Sequence, residues 1–334
     1  MSKTVPIGNA SGIIPVVGLG TWTVFGQQGN SDEVERATLA AIDAGYRHID
    51  CAWNYGTQPG VGKALEAKIK EGVIKREDMF LTTKLWDTHH NPCLVIEELR
   101  DSLRQLKTDY VDLFLIHWPT ALKDQDMSGE TICPLDENGK GIPADHKLED
   151  VWKAVEECQK AGLTKHIGLS NFNKSQVTRI LNSCSIRPVA SQIHKHVLVS
   201  HCVKVEVSPY FSNRPILDFC KEKGMTLTAY APLGAPNRPW HESGQPGPVF
   251  DEPILKEISA SKGKSIPQVI LRFHIQRGLV VIPKSITPSR IKENIDVRKY
   301  NNGYARIVFD FQLSEEEMTK IASLDRNFRA FAEP

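Results

Sequence analysis

The sequence predicts an α/β fold in which a single parallel sheet closes into a (β/α)8 barrel. Short apolar, β-branched runs alternate with longer stretches of helical period, which is typical of repeated βα units. These runs number eight, as such a barrel requires. The chain has 334 residues, 40% hydrophobic and 24% charged, which is enough for one large core. We therefore expect one domain over residues 1–334.

The eight apolar runs are the predicted barrel strands. They are residues 16–20, 48–52, 79–85, 112–118, 166–171, 189–193, 226–233 and 280–285. Amphipathic segments lie between them, such as 31–45, which Ser31 can cap and Gly45 can end. In the segment 91–107, a leucine repeat forms one apolar stripe. Before the first strand we expect a short N-terminal hairpin, and at the catalytic face long loops over 119–146 and 234–251.

Charge and cysteine content narrow the class of protein. Lys and Arg total 41 against 40 for Asp and Glu, so the chain has almost no net charge that would favour binding to nucleic acid or to an anionic membrane. The seven cysteines show no C-x-x-C spacing, which argues against a zinc module and a disulfide framework. The N-terminus does not resemble a signal peptide, and no run of about 18 apolar residues follows. We expect a cytoplasmic protein that binds neither nucleic acid nor membrane.

Four polar residues lie where a barrel of this kind carries its chemistry. Asp50, Lys84 and His117 close predicted strands 34 and 33 positions apart, which is one βα repeat, and Tyr55 follows the first of them. A phenol is a poor acid near neutrality, but the ammonium of Lys84 would lower its pKa, with Asp50 as the counter-charge. His117 could orient a carbonyl oxygen. Each residue alone has an ordinary structural explanation; together they predict a catalytic site.

Several motifs carry a resemblance to a known family over nearly the whole chain. They are GLGTW (18–22), GYRHIDCA (45–52), TTKLW (82–86), LIHWP (115–119), IGLSNFN (167–173) and IPKS (282–285), with Tyr55 between the second and third. In this combination and order the chain resembles the aldo-keto reductases. DLFLIHWPT (112–120) and SPYFSNRPILDFCKEKG (208–224) are nearest the aldose and aldehyde reductase subgroup.

The resemblance implies a TIM barrel that reduces aldehydes or ketones to alcohols by hydride transfer from NADPH. Tyr55 is the implied general acid, with Asp50, Lys84 and His117 completing the catalytic group, and the implied state is a monomer. The implied contacts with NADPH or NADP+ are Thr21, Trp22, Asp50, Ser170, Asn171, Gln192, Tyr230, Leu233, Lys284, Ser285, Ile286, Thr287, Arg290, Glu293 and Asn294. The expected contacts with a small-molecule carbonyl substrate are Trp22, Trp53, Trp86, His117 and Trp118. The pair of Lys284 and Arg290 favours NADPH over NADH, because both side chains suit the 2′-phosphate.

Two segments depart from the family pattern and look inserted. If Gln192 is the glutamine that ends the sixth strand, then residues 193–204 are surplus, and so are residues 298–308. The first insert would emerge at the catalytic mouth, where we expect it to impair the cofactor site. Its histidines and Cys202 are not expected to bind a metal, because no acidic residues accompany them.

Two other functions are compatible with a barrel of this sequence. An NADPH-binding sensor or regulatory barrel with little turnover would keep the fold but not the reaction. A metal-dependent barrel hydrolase would need more His and Asp ligands on neighbouring strands than Asp50 and His117 provide.

Overall fold

The fold is seen in a computed structural model that describes residues 3–7, 12–22, 30–128, 132–186, 202–236, 238–295, 297–300 and 303–331. Two short antiparallel strands, β1 (Thr4–Pro6) and β2 (Ile13–Pro15), form the predicted N-terminal hairpin. The barrel strands follow in chain order. They are β3 (Leu19–Gly20), β4 (His48–Asp50), β5 (Phe80–Leu85), β6 (Val111–Ile116), β7 (Thr164–Ser170), β8 (Cys202–Glu206), β9 (Thr226–Tyr230) and β10 (Val280–Val281).

The eight strands form one parallel sheet in sequence order, from β3 to β10. Parallel bridges from Val17 to Val281 and from Gly20 to Lys284 join the first and last strands. The sheet is therefore closed, which confirms the predicted (β/α)8 TIM barrel. Closure brings the carboxyl ends of all eight strands to one mouth.

Helices and short helical turns connect the strands. The helices are α1 (Ser31–Asp43), α2 (Gln58–Lys70), α3 (Pro92–Leu106), α4 (Leu148–Lys160), α5 (Lys174–Ser183), α6 (Arg214–Glu222), α7 (Pro253–Lys262), α8 (Ile266–Gln276), α9 (Pro288–Ile295) and α10 (Glu315–Ala322). The apolar faces of α1 to α6 and of α9 pack on the sheet in the main core. Those of α7 and α10, with most of α8, form a second apolar cluster. The main core holds the strand ends, and therefore the site, in fixed positions.

Local sequence explains where these helices begin and which face they bury. In α3, the side chain of Asn91 accepts a hydrogen bond from the backbone N–H of Cys93, and Pro92 is the first helical residue. The predicted stripe of Leu99, Leu103 and Leu106 is buried. In α1 the capping residue is Asn30 rather than the predicted Ser31, because the Asn30 side chain reaches the N–H of Glu33. The predictions of both helices are thus confirmed, with one cap shifted by a residue.

The sixth barrel strand lies later in the chain than predicted. The predicted strand 189–193 lies outside the described residues, and β8 pairs in parallel with β7 and β9. Residues Cys202–Glu206 fill this position, so the last three residues of the segment 193–204 belong to the barrel. The expectation that all of 193–204 is an insertion is wrong at this end.

The second surplus segment has regular structure of its own. Within and beside 298–308, strands β11 (Val297–Tyr300) and β12 (Gly303–Arg306) pair antiparallel as a separate ribbon. A helical turn over Ile307–Phe309 follows, and its Val308 is buried in the main core. The ribbon thus leaves the barrel after α9 and returns the chain to the core at Val308.

Candidate active site

The predicted catalytic residues converge at one mouth of the barrel. Asp50 ends β4, Lys84 lies in β5 and His117 directly follows β6. Tyr55 ends a short helical turn, Trp53–Tyr55, that follows β4. A cavity of about 660 Å³ opens here, a volume suited to a small-molecule ligand, and Asp50, Tyr55 and His117 line it.

Asp50 is held by two lysines rather than one. The Nζ atoms of Lys84 and Lys204 lie 2.8 and 2.7 Å from the same carboxylate oxygen, Oδ1 of Asp50. All three side chains are at most 4% exposed. Burial opposes ionisation of Asp50, but Lys204 and then Lys84 hold its pKa below its usual value. The carboxylate therefore stays charged between two ammonium groups.

Tyr55 lies against Lys84. The Nζ of Lys84 lies over the face of the Tyr55 ring, 4.6 Å from its centroid. Burial raises the pKa of Tyr55, and the nearby charge of Lys204 opposes this rise without cancelling it. The phenol therefore keeps its proton at neutral pH, with a cation beside it.

His117 is a neutral imidazole in this environment. Burial lowers its pKa well below the usual value, and the charges of Lys84 and Lys204 lower it further. Its ring stands 5.6 Å from that of Tyr55 and 5.4 Å from that of Trp86, in edge-on geometry. A neutral imidazole can donate one hydrogen bond to a carbonyl oxygen, and its position beside Tyr55 suits that task.

The predicted cofactor residues line the same cavity. All of those that the structure describes line the cavity: Thr21, Trp22, Asp50, Ser170, Asn171, Tyr230, Leu233, Lys284, Ser285, Ile286, Thr287, Arg290, Glu293 and Asn294. Gln192 lies outside the described residues. The Tyr230 hydroxyl donates to Oδ1 of Asn171 at 3.0 Å, and Nδ2 of Asn171 donates to the carbonyl of His117 at 3.0 Å. These bonds fix the Tyr230 ring relative to the catalytic group.

The five predicted substrate contacts divide into two groups. Trp22, His117 and Trp118 line the cavity, whereas Trp53 and Trp86 do not. The indole of Trp53 donates to Asp101 at 2.7 Å, and that of Trp86 donates to the carbonyl of Ile132 at 2.6 Å. Both indole N–H groups are bonded to protein partners, so the structure does not place these two rings in the cavity wall, and their contact with substrate stays a prediction.

The C-terminal tail closes part of the cavity. The ring of Phe331 lies within 5.3 to 5.7 Å of those of Trp22, Tyr230 and Trp240. The buried carboxylate of Glu206 accepts hydrogen bonds from the backbone N–H groups of Ala330, at 2.7 Å, and Phe331, at 3.2 Å. Strand β8 thus holds the tail over the aromatic wall through one side chain.

Sequence reasoning missed Lys204 and the contact between Glu206 and the tail. The segment 202–206 alternates apolar and charged residues and leads directly into Ser-Pro-Tyr at 208–210. Counting back from that motif, rather than forward from 189, would have put Lys204 at the place of the strand glutamine. The contacts of the tail carry no comparable sequence signal.

Two further findings concern metals and membranes. In the described part of the chain, no three His, Cys, Asp or Glu side chains are grouped so as to hold a metal ion. Across the same residues, no helix combines the length and the apolar character needed to cross a bilayer.

Comparisons with known proteins identify the family of this chain. The model of the Aldo/keto reductase family matches residues 16–326. The chain is 42% identical over 317 residues to aldo-keto reductase family 1 member A1-A of Danio rerio, covering 95% of this chain and 88% of that protein. It is also 42% identical to prostaglandin-E(2) 9-reductase of Oryctolagus cuniculus, covering 95% and 90%.

A solved structure gives the same result for the fold. The aldose reductase of Schistosoma japonicum superimposes with a TM-score of 0.81 at 37% identity, over 97% of this chain and 93% of that one. These three proteins are named as reductases, so the comparisons do not support a sensor or regulatory barrel. The sequence match, the closed barrel and the residues grouped at its mouth lead to one conclusion: this chain belongs to the aldo/keto reductase family and is an oxidoreductase that acts on carbonyl groups.

Proposed function

We propose that this protein reduces aldehydes and ketones to alcohols with NADPH, with Tyr55 as the general acid. The observation that carries the proposal is the continuity of the cavity. One cavity is lined by Tyr55 and His117 and also by Lys284 and Arg290. A proton donor and a pair of cations suited to phosphate thus share one site.

Two basic residues of the cavity wall fit the phosphate of NADPH. Lys284 precedes α9 and Arg290 lies in its first turn, where backbone N–H groups favour an anion. The hydroxyl of Ser285 accepts from the N–H of Thr287 at 3.1 Å, which orders this turn. Lys284 and Arg290 are both exposed, so a phosphate can reach them without displacing other groups. This arrangement favours the 2′-phosphate of NADPH over the hydroxyl of NADH.

Other residues of the same cavity fit a nicotinamide ring and its amide. The Tyr230 ring, fixed by Asn171, offers a flat surface, and Ser170 and Asn171 offer polar atoms beside it. When bound, NADPH supplies a hydride to the carbonyl carbon. The chain's own residues hold the ring, orient the carbonyl and supply the proton.

The proton step follows from the geometry of three residues. Neutral His117 donates a hydrogen bond to the carbonyl oxygen and sets its position relative to Tyr55. The Tyr55 hydroxyl gives its proton to that oxygen as negative charge develops there. The cations beside Asp50 stabilise the phenolate that remains. Trp22, Trp118 and Phe331 keep water from the reacting carbonyl.

Two measurements with the wild-type protein test the proposal. NADPH and NADH are titrated by their fluorescence, and NADPH oxidation is followed at its absorbance maximum with 4-nitrobenzaldehyde as the acceptor. We expect NADPH to bind more tightly than NADH and to be oxidised only when aldehyde is present. Tight NADPH binding with no oxidation, across several aromatic and aliphatic aldehydes, would refute the catalytic part of the proposal.

Localisation in the cytoplasm, the monomeric state and the absence of nucleic-acid and membrane partners stay predictions. Sedimentation velocity at micromolar concentration tests the monomer.

A further inference from the structure

We propose that Lys204, a residue of β8, makes the site distinguish the two oxidation states of the cofactor, so that NADPH binds more tightly than NADP+. The inference rests on the proposed function, because it takes the nicotinamide ring to lie on Tyr230. It adds to that function a residue that sets which form of the cofactor the site retains. The position of Lys204 and the charge around it carry the inference.

Lys204 lies in the wall of the cavity next to Tyr230. Its side chain is 4% exposed and lines the cavity together with Ser170, Asn171 and Tyr230. The Nζ of Lys204 lies over the Tyr230 ring, 5.6 Å from its centroid. Strand pairing sets this position, since Lys204 is in register with Ser170 on β7 and with Thr228 on β9. The ammonium is therefore beside the flat surface proposed for the nicotinamide ring.

A buried ion pair holds this ammonium in place. The Nζ of Lys204 donates to Oδ1 of Asp50 at 2.7 Å, which links β8 to β4 across the barrel. Burial lowers the pKa of Lys204, and the charge of Asp50 opposes this effect. Because the carboxylate is buried and charged, it favours the protonated lysine. The wall beside Tyr230 thus carries a fixed cation, where the sequence predicted the neutral amide of Gln192.

The charged groups around Lys204 leave a net positive charge. Lys84 and Lys204 share the single carboxylate of Asp50, so one positive charge is not balanced. Glu206, two residues further along β8, is matched by Arg329, whose Nε lies 3.9 Å from its carboxylate. The phenol and the imidazole of the catalytic group are neutral. Protonation of Glu206 would only make this region more positive.

NADPH and NADP+ differ in charge at the nicotinamide ring. The ring is neutral in NADPH and carries one positive charge in NADP+, whereas the phosphates are the same in both. A buried cation repels a nearby positive charge several times more strongly than it would in water, because the surrounding dielectric constant is low. Lys204 therefore weakens the binding of NADP+ and has little effect on that of NADPH. The site then releases the oxidised cofactor readily after each turnover.

The test compares the dissociation constants of NADPH and NADP+, with no aldehyde present. NADPH is titrated by its fluorescence, and NADP+ is titrated as a competitor that displaces NADPH. Both constants are measured in wild type, in Lys204→Met and in Lys204→Arg, which restores the charge. Lys204→Gln takes the place of Lys204→Met if the latter does not fold.

Two matched variants separate the charge beside Tyr230 from other effects. Lys284→Met removes a cavity cation proposed to bind phosphate, so it should weaken both cofactors and keep the ratio of their Kd values. Lys84→Met removes the other lysine of Asp50, which lies over the Tyr55 ring. It should change the ratio less than Lys204→Met does.

We expect wild type to bind NADP+ at least about fivefold more weakly than NADPH, and Lys204→Met to lower this ratio by at least about fivefold. Lys204→Arg should keep the ratio near that of wild type. A smaller fall in Lys204→Met, or an equal fall in Lys84→Met or Lys284→Met, would overturn the inference. Equal affinity of wild type for the two cofactors would do the same.

Failure of the proposed function gives a different result. A wild-type protein that binds neither cofactor refutes both proposals. Binding of both cofactors with an unchanged ratio in Lys204→Met refutes the present inference alone. The expected ratios, together with no oxidation of NADPH by aldehydes, refute only the catalytic part of the proposed function.

Discussion

The ammonium of Lys204 on β8 lies 2.7 Å from Oδ1 of Asp50 on β4, and both side chains are buried. Lys84 shares the same oxygen, so one carboxylate balances two cations inside the barrel. A buried charge that loses its partner is strongly destabilising. Both the stability of the protein and its catalytic chemistry therefore depend on Asp50.

Asp50→Asn should lower the free energy of unfolding by about 3 to 5 kcal/mol, because it leaves two buried ammonium groups without a carboxylate. Urea unfolding at pH 7 measures this loss. The double variant Asp50→Asn/Lys204→Met should lose less than Asp50→Asn alone. Asp150→Asn is the control, since Asp150 pairs with Lys153 on the exposed surface and its replacement should change stability far less. Equal stability of Asp50→Asn and wild type would contradict the central place of this ion pair.

Glu206→Ala should release the C-terminal tail. The variant leaves the N–H groups of Ala330 and Phe331 without their acceptor, at a cost of about 1 to 3 kcal/mol for each buried group. Amide hydrogen exchange at these two residues should become at least about tenfold faster. Glu242→Ala, which removes an exposed carboxylate, is the matched control. Unchanged exchange in Glu206→Ala would mean that the aromatic contacts of Phe331 and the hydrogen bond from the Trp240 indole to the Ala330 carbonyl hold the tail without Glu206.

The same carboxylate should give the stability a dependence on pH. Burial raises the pKa of Glu206 from 4.5 to about 7, although Ala330, Phe331 and Arg329 act in the opposite direction. Between these two pH values the folded protein keeps a proton that the unfolded chain has lost, so this group makes stability fall as pH rises through that window. The fall amounts to at most about 3 kcal/mol. Urea unfolding of wild type and Glu206→Gln from pH 4.5 to 8 isolates it, because other groups cancel in the difference. Parallel curves for the two proteins would contradict the raised pKa.

Arg290→Met should weaken NADPH binding and leave NADH binding nearly unchanged. A charge-assisted hydrogen bond to phosphate contributes about 1.5 to 3 kcal/mol, which is roughly a tenfold or greater rise in the Kd of NADPH. Fluorescence titration measures both dissociation constants. Arg179→Met, which removes a surface arginine paired with Glu149, is the control and should change neither. An equal loss of affinity for NADPH and NADH would show that Arg290 does not bind the 2′-phosphate.

The parts of the fold with strong local signals were predictable from sequence. Each barrel strand except the sixth coincides with or overlaps a predicted run, because β-branched apolar runs and their spacing are local properties. The catalytic group was predictable too, since Asp50, Lys84 and His117 recur at the repeat of the βα unit. The βα repeat places each of these residues at the end of a strand, and the closed barrel brings the strand ends together at one mouth.

The sixth strand and the tail depend on contacts that sequence periodicity does not encode. Residues 189–193 and 202–206 both contain the apolar, β-branched residues of a strand, and periodicity gives no basis for choosing between them. Register with β7 and β9 selects Cys202–Glu206, which brings Lys204 into the cavity and Glu206 to the tail. Such long-range pairings decide the choice only when the barrel closes.

The most direct test of the central claim is turnover by Tyr55→Phe, which removes one hydroxyl and keeps the ring. NADPH oxidation with 4-nitrobenzaldehyde is compared with wild type at saturating NADPH, and the Kd of NADPH is measured in both proteins. We expect kcat to fall by at least about 100-fold, with the Kd of NADPH within about twofold of wild type, because only the proton donor is lost. A kcat within about tenfold of wild type would contradict the assignment of Tyr55 as the general acid.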